Sequence, residues 1–206
     1  MSIYFARHGE TDWNIAMRVQ GTTDIPLNEN GMKQANLLFE NLDKENVKLC
    51  QIYSSYQRRA LTTAEIVGAR CNVPVKVIRG LEELNFGLFE GHTWEEIGML
   101  YSDEHSKWQS NKRYNKAPNG ESYQELLERV FAALDQIIEE AKANLDSGRD
   151  ILILTHGAVL ISLLTLKNDL DFNTSYMFIS VENAKPIKFE LSELEKIRKK
   201  VMVNEC

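Results

Sequence analysis

The chain has 206 residues, a length that fits one large domain or a domain with one sizeable insertion. Hydrophobic residues make up 43% of it and charged residues 26%, as in an ordinary soluble globular protein. The formal net charge of −6 excludes a global basic field for nucleic acid or acidic lipid. An anionic ligand must therefore be bound by a local cluster of cations.

Neither a membrane span nor a secretory signal is visible in the sequence. No apolar run reaches about 18 residues, and the N-terminus lacks the basic and long apolar regions of a signal peptide. The cysteines, Cys50, Cys71 and Cys206, are an odd number at no metal-like spacing. We therefore predict a cytoplasmic protein with reduced thiols and with no membrane or nucleic-acid partner.

In the first part of the chain, apolar strand patterns alternate with helical ones. A short aromatic run opens it and ends in a glycine-containing turn. In chain order, the patterns predict strands over 2–6, 51–55 and 73–78 and helices over 28–42 and 57–70. Pro74, near the start of the third strand, favours an edge position in the sheet.

The middle of the chain contains a less regular segment, 87–119, that is rich in aromatic, polar and charged residues. We interpret it as a partly helical insertion over one face of the sheet. The longest helix follows and begins at Ser122, which forms a capping box with Glu125. This helix is predicted to end at Gly148.

The last part of the chain begins with the run DILILTHG at 150–157. No polar residue stands between its first residue and Thr155, which is typical of a central strand buried on both faces. The remaining patterns predict a helix over 158–167, strands over 177–182 and 186–191, and a charged helix over 192–203.

Strands that alternate with helices imply an α/β fold, a three-layer αβα sandwich around a mostly parallel sheet, in a single domain over 1–206. Ligands of such sheets bind at the carboxyl ends of the strands. Three predicted strands end in notable groups: Arg7-His8-Gly9, then Ser54-Ser55 leading into Arg58-Arg59, then Thr155-His156-Gly157. We expect Gly9 to let the backbone turn closely around the ligand.

These groups suit phosphoryl transfer. Arginine presents a planar fork of donors to phosphate oxygens, and a neutral histidine with a fixed tautomer can act as a nucleophile. The reaction also needs an acid at the leaving oxygen. The segment 81–91 offers Glu82, Glu83 and Glu90 for that role.

Four motifs, in this order and spacing, resemble those of the histidine phosphatase superfamily, also called phosphoglycerate mutase-like: RHGET with Asn14, SSYQRRALTTA, EELNFGLFEG and LTHG. The segment RVQGTTDIPLNENGMKQA at 18–35 and the closing VENAKPIKFEL are similar to family segments as well. The resemblance runs from about residue 2 to residue 191. It implies the phosphoglycerate mutase-like fold, with the small insertion covering the active site.

The resemblance also implies catalytic roles. His8 would be the nucleophile that becomes phosphohistidine, and Arg7 and His156 would hold the phosphoryl oxygens. The family's acid lies four residues before the glycine of the F-G pair, which selects Glu83 over its neighbour. Glu83 would protonate the leaving alcohol and later help to activate water.

In the second motif the family's arginine directly precedes alanine, which selects Arg59 over Arg58. Adjacent helical positions point about 100° apart, so one of the pair is expected to face the site. Tyr56 and Gln57 depart from the Asp or Pro, then Leu, of many relatives. The resemblance further implies a set of substrate-binding residues: Asn14, Gln20, Gly21, Thr22, Gly157, Glu121 and Ser122, the last two from a G-E-S element of the phosphatase branch.

No H-x-H or H-E-x-x-H spacing occurs, so we predict neither a metal nor another cofactor. His92 stays open as a substrate contact. Trp94, Trp108 and Tyr101 are interpreted as the core of the insertion.

The sequence is compatible with three functions. The first is a metal-independent phosphomonoesterase for small phosphorylated metabolites. It is favoured because only 73 positions separate Glu83 from His156, which leaves limited room for the longer insertion of the family's mutases. The second is a phosphoglycerate mutase that depends on 2,3-bisphosphoglycerate. The third, from another class, is a non-catalytic phosphate-binding or scaffold protein.

Overall fold

A five-stranded sheet forms the centre of the structure, a computed structural model that describes residues 2–144 and 149–202. Its strands are β1 (Ile3–Arg7), β2 (Leu49–Ser54), β3 (Val75–Val77), β4 (Asp150–Thr155) and β5 (Pro186–Phe189). The strand order is β3-β2-β4-β1-β5, and every pair is parallel except β1 with β5. The apolar β4 is therefore central and β3, which follows Pro74, is at an edge, as predicted.

Helices cover both faces of the sheet. In chain order they are α1 (Asp12–Ile15), α2 (Glu29–Lys44), α3 (Arg58–Cys71), α4 (Trp94–Leu100), α5 (Ser102–Ser110), α6 (Tyr123–Asn144), α7 (Gly157–Lys167) and α8 (Leu191–Met202). Because side chains alternate along a strand, Ile3 and Phe5 of β1 pack with α6, α7 and α8, whereas Tyr4 and Ala6 pack with α2 and α3. The prediction of a three-layer α/β fold with a mostly parallel sheet is confirmed.

Local signals set the helix ends. Asn28 caps α2, because its side chain accepts a hydrogen bond from the Gly31 N–H at 2.8 Å. The predicted capping box at α6 is present, with the Ser122 N–H donating to Glu125 at 3.0 Å and the Glu125 N–H donating back at 3.3 Å. The predicted end of this helix at Gly148 lies outside the described residues, as does Cys206.

The predicted strand at 177–182 is wrong. A 3₁₀ turn occupies Ser175–Met177, and irregular chain follows it. The apolar side chains that suggested a strand instead anchor this loop, because Ile179 and Val181 pack against the main core. Three other predicted strands are shorter than expected. β3 spans only Val75–Val77, β4 ends before His156, which is the N-cap residue of α7, and β5 ends before α8 begins at Leu191.

Gly9 and Gly31 pack backbone against backbone where β1 meets the start of α2. A Cβ on Gly9 would lie 2.4 Å from the Gly31 carbonyl oxygen. The backbone of Gly9 does not adopt the left-handed region. Close packing of α2, rather than a special turn around the ligand, therefore requires this glycine, which corrects the expectation from the sequence.

We expect Gly9→Ala to lower the free energy of unfolding by about 2–3 kcal/mol, the usual effect of overpacking a rigid contact. Urea unfolding followed by circular dichroism measures the change. Gly98→Ala in α4 is the matched control, because its Cβ would meet nothing closer than His105 Nδ1 at 3.8 Å. An unchanged stability in Gly9→Ala would contradict the packing argument.

Candidate active site

A cavity of about 510 Å³ opens beside the carboxyl ends of β1 and β4. Arg7, His8, Glu83 and Gly157 line one end of it. The insertion, with α4 and α5, forms a wall on another side. The polar groups at the ends of β1 and β4 thus meet at one place, as the parallel sheet predicts.

His8 is held as a neutral imidazole with one ring nitrogen free. The side chain is buried, and its Nδ1 lies 2.7 Å from the Gly9 carbonyl oxygen. Because a carbonyl oxygen can only accept, Nδ1 carries the ring proton and donates a hydrogen bond to it. Burial, with Arg7 and Arg59 nearby, holds the pKa of His8 well below its usual range. The Nε2 lone pair is therefore available for attack.

Buried nitrogen atoms without partners surround His8. Arg7 donates from Nη1 to the Val181 carbonyl oxygen at 3.2 Å, but its Nε has no hydrogen-bond partner among the described residues. The same holds for Nε of Arg59, and for both ring nitrogens of His156. Of these nitrogen atoms, the Nε–H groups of the two arginines and the one N–H of neutral His156 are donors. Since buried polar atoms are nearly always paired, these three donors indicate a site for an anion.

The two histidine rings are neighbours, with centroids 5.3 Å apart. Burial, together with Arg59 and His8, lowers the pKa of His156 well below its usual range. Burial also lowers the pKa of Arg7 and of Arg59. The protein thus holds the desolvated guanidinium groups of Arg7 and Arg59 in place beside a neutral His156, and a bound anion would stabilise both cations.

The second motif separates its two arginines as the helix geometry predicts. Arg59 is 0% exposed and donates to the carbonyl oxygens of Thr23 and Gly21, both at 2.8 Å. Arg58 is exposed and forms an ion pair with Asp24 at 3.0 Å. Arg59 is the buried member of the pair and lies near enough to His8 to lower its pKa, although it does not itself line the cavity.

Glu83 lies at the N-terminus of α7. Its Oε1 accepts hydrogen bonds from the N–H groups of Ala158, at 3.0 Å, and Leu84, at 2.9 Å. The Oε2 atom lies near Gly157, where an added Cβ would be 3.6 Å from it and 3.5 Å from Arg7 Nε. The carboxylate therefore lies close to Arg7 and to the end of the cavity that His8 lines.

Gln57, one of the departures from the family pattern, has a defined structural role. It is fully buried, donates from Nε2 to the Gly21 carbonyl oxygen and accepts the Glu83 N–H at Oε1, both at 2.9 Å. The side chain thus ties the loop around Gly21 to the backbone of the candidate acid. A leucine at this position could not make either bond.

Arg129 of α6 fixes the segment that carries Glu83. It donates to the carbonyl oxygens of Gly80, Glu82 and Glu83, each at 2.9 Å, and to the carboxylate of Glu121. The sequence drew no attention to Arg129, since a single arginine on a helix surface has no recognisable pattern.

Three of the predicted substrate-binding residues do not line the cavity. Glu121 is bound to Arg129 and to the Asn85 N–H, Ser122 is part of the helix cap, and Thr22 is bound to Glu90. Their side chains organise loops and the start of a helix. The other four, which do line the cavity, are Asn14, Gln20, Gly21 and Gly157.

Asn14 reaches the cavity from α1. Its Oδ1 accepts the Thr11 N–H at 3.0 Å, which leaves the amide nitrogen for a ligand oxygen. Two further residues that the sequence did not single out support this end. Thr63 accepts the Gly9 N–H at 3.0 Å, and Asn183 donates to the His8 carbonyl oxygen at 2.8 Å.

The structure also changes the role assigned to the aromatic residues of the insertion. Tyr101 packs on Phe89, but Trp94 and Trp108 line the cavity instead of forming only a core. Phe86 and Tyr176 join them. His92 does not line the cavity and contacts Tyr101. Sequence patterns could not find this wall, since its members come from four separate segments.

The two buried histidines predict acid-labile stability. Below a pH of about 6.5 the unfolded chain binds protons on both imidazoles, whereas the folded protein keeps them neutral. The free energy of unfolding therefore decreases as the pH is lowered. The loss approaches about 1.4 kcal/mol per histidine per pH unit. We expect wild type to lose about 2 kcal/mol between pH 6.5 and 5.5, and His156→Gln to lose about half of that.

Urea titrations at the two pH values measure this difference. His92→Gln serves as the control and should keep the full pH dependence. Equal slopes for His156→Gln and wild type would show that His156 is not held neutral by the fold.

A family model described as "Histidine phosphatase superfamily (branch 1)" matches residues 3–200. "Phosphoglycerate mutase-like protein 4" of Arabidopsis thaliana is 36% identical over 163 residues, which cover 78% of this chain and 68% of that protein. "Metal-independent phosphoserine phosphatase" of the same plant is 36% identical over 160 residues, covering 77% of this chain and 65% of that protein.

Among solved structures, "Bacillus stearothermophilus YhfR" superimposes with a TM-score of 0.79 at 31% identity and covers 92% of this chain and 90% of that one. The chain belongs to the histidine phosphatase superfamily, so the resemblance found in the sequence is confirmed. It shares that membership with relatives named as phosphatases and as phosphoglycerate mutase-like proteins.

No helix within 2–144 or 149–202 has the length and hydropathy to cross a membrane. In the same ranges no three His, Cys, Asp or Glu side chains are grouped as a metal ion would require. The absence of a metal requirement remains a prediction to be tested with the purified protein.

Proposed function

We propose that this chain is a metal-independent phosphomonoesterase that hydrolyses small phosphorylated metabolites through a phosphohistidine on His8. The observation that carries the proposal is the set of unpartnered buried nitrogen atoms on Arg7, Arg59 and His156 around a neutral His8. A phosphoryl group is an anion whose oxygens would accept from these nitrogens. The cytoplasmic setting and the single domain over 1–206 remain predictions.

In the first step Nε2 of His8 attacks phosphorus, a P–N bond forms and the P–O bond to the alcohol breaks. The hydrogen bond from Nδ1 to the Gly9 carbonyl oxygen keeps the attacking lone pair on Nε2 and stabilises the charge that the ring acquires. Arg7, Arg59 and His156 would bind the phosphoryl oxygens as charge accumulates on them. Protonated Glu83 gives its proton to the departing alcohol oxygen.

In the second step the Glu83 carboxylate takes a proton from water, the water oxygen attacks phosphorus and the P–N bond breaks. Phosphate leaves, and both His8 and Glu83 return to their starting forms. One carboxyl group can serve as acid and then as base, because the alcohol leaves from the same face of the phosphoryl group that water then attacks. His8 is bonded to the opposite face.

A phosphoglycerate mutase dependent on 2,3-bisphosphoglycerate is the alternative from the sequence. It needs a second built site for an anion. Away from the phosphoryl end the cations of the cavity are Arg18, which is paired with Glu96, and Lys112, which lies over aromatic rings. This arrangement favours hydrolysis. A non-catalytic scaffold would require neither the tautomer of His8 nor the placement of Glu83.

The experiment is phosphate release in EDTA from a panel of phosphoesters, with phosphoglycerate isomerisation followed in the same samples. We expect release from several esters without isomerisation. Isomerisation that depends on bisphosphate, with little release, would assign the mutase reaction instead. Binding of phosphoesters with neither reaction would support the scaffold.

A further inference from the structure

We infer that the cavity selects phosphomonoesters whose alcohol carries an aromatic ring, in preference to small polyols or alcohols with a second anionic group. This inference rests on the proposed function, because it names the substrate class of the same site. The juxtaposition behind it is a wall of aromatic side chains that begins beside the phosphoryl end.

The wall consists of rings that hold one another in place. Trp94 and Trp108 are stacked, with centroids 5.4 Å apart and an interplanar angle of 11°. His105 is stacked on both, at 5.9 Å and 6.1 Å, and Phe86 makes T-shaped contacts with both indoles. All four line the cavity. Such a preformed flat surface binds another ring with little loss of conformational entropy.

The wall is also accessible. Trp94 and Tyr176 line the cavity and have large apolar side chains, and they are 44% and 62% exposed. Trp108 is only 3% exposed, and its Nε1–H has no hydrogen-bond partner in the described part of the chain. An aromatic ring in the cavity would cover the exposed surfaces of Trp94 and Tyr176.

The charged side chains beside the aromatic wall favour a substrate with an aromatic ring over one with a second anionic group. Lys112 Nζ is 5.1 Å from the centroid of Trp108 and 4.4 Å from that of Tyr176, so the ammonium group already interacts with aromatic faces. Arg18 is bound to Glu96 at 2.9 Å. A polyol would leave hydroxyl groups against an apolar surface without partners, which is unfavourable.

Two measurements test the inference. The first compares kcat/KM for 2-phenylethyl phosphate and n-propyl phosphate, whose alcohols are both poor leaving groups, with L-phosphoserine and 3-phosphoglycerate beside them. The second compares Kd for 2-phenylethylphosphonate and n-propylphosphonate by calorimetry, which requires no turnover. We expect a preference of about 30-fold for the phenyl compound in each comparison.

Variants locate the preference. Trp94→Leu and Tyr176→Leu should each reduce it by about 5-fold, with a larger loss of kcat/KM for 2-phenylethyl phosphate than for n-propyl phosphate. Tyr114→Leu removes an exposed aromatic residue of the same insertion that does not line the cavity, and it should change nothing. Lys112→Met should alter the value for the phenyl ester by less than about 3-fold.

Equal values for the phenyl and propyl compounds would overturn the inference while leaving the phosphatase intact. A second outcome would also overturn it: phosphoserine or 3-phosphoglycerate is the best substrate, and Lys112→Met lowers kcat/KM for that substrate by more than about 10-fold. That result would assign Lys112 to the binding of a second anionic group. If no ester is hydrolysed, the proposed function fails. The phosphonate comparison then still decides whether the aromatic wall binds a ring.

Discussion

Replacing His8 by glutamine is expected to lower kcat for phosphate release by about 10⁴-fold or more, with the fold retained. The variant removes the only group at this end of the cavity, within the described residues, that offers a free neutral ring nitrogen fixed for attack. Arg7, Arg59 and His156 stay, so the anion site survives. We therefore expect inorganic phosphate to bind within about 10-fold of the wild-type affinity.

The intermediate provides an independent measurement. Wild type quenched during turnover should carry a phosphoryl group that is stable in alkali and labile in acid, as a P–N bond is, and His8→Gln should carry none. His92→Gln is the matched control, since His92 lies in the insertion and does not line the cavity. Normal turnover in His8→Gln would end the proposal of a phosphohistidine on this residue, whatever else the cavity binds.

Much of the fold follows from short-range patterns. The alternation of Ile3, Tyr4 and Phe5 between the two faces of the sheet requires only the geometry of a strand, and the apolar run of β4 requires burial on both sides. Parallel strands place their carboxyl ends together. The meeting of His8 with His156 could therefore be predicted without any long-range information.

Two of the failures share a physical cause. The segment 177–182 has the hydrophobicity of a strand, but Val181 uses its carbonyl oxygen for Arg7 instead of a sheet partner. Glu121 matched a pocket motif, but Arg129 holds its carboxylate. In each case a distant cation decides the local outcome, and neither propensity nor spacing along the chain reports such a partner.

Site residues that act through others were also invisible. Gln57 was noted only as a departure from a family pattern, and its two hydrogen bonds to Gly21 and Glu83 appear only in three dimensions. The aromatic wall is similar. Trp94 and Trp108 have the composition of a core, and only the cavity beside them distinguishes a binding surface from packing.

Replacing Glu83 by glutamine is expected to make the rate depend on the leaving group. With n-propyl phosphate, whose alcohol cannot leave unprotonated, we expect a loss of about 10³-fold in kcat/KM. With 4-nitrophenyl phosphate, whose phenolate leaves without a proton, the first step should slow by less than about 10-fold. Glutamine keeps an oxygen for the N–H groups of Ala158 and Leu84, so the change is chemical rather than positional.

The second step gives the same variant a further signature. Without a carboxylate to take a proton from water, the phosphohistidine formed from 4-nitrophenyl phosphate should hydrolyse slowly and accumulate. Stopped-flow absorbance should therefore show a burst of nitrophenolate equal to the enzyme concentration, followed by a slow steady rate. Glu82→Gln is the matched control, because Glu82 faces Arg129, outside the cavity, and should show neither effect.

The two signatures together separate three roles for Glu83. Equal losses for both esters, without a burst, would indicate that the carboxylate only positions the N-terminus of α7 or Arg7. A leaving-group effect without a burst would make Glu83 the acid and require another base for water. Both effects at once are what one carboxyl group produces when it gives a proton in the first step and takes one in the second.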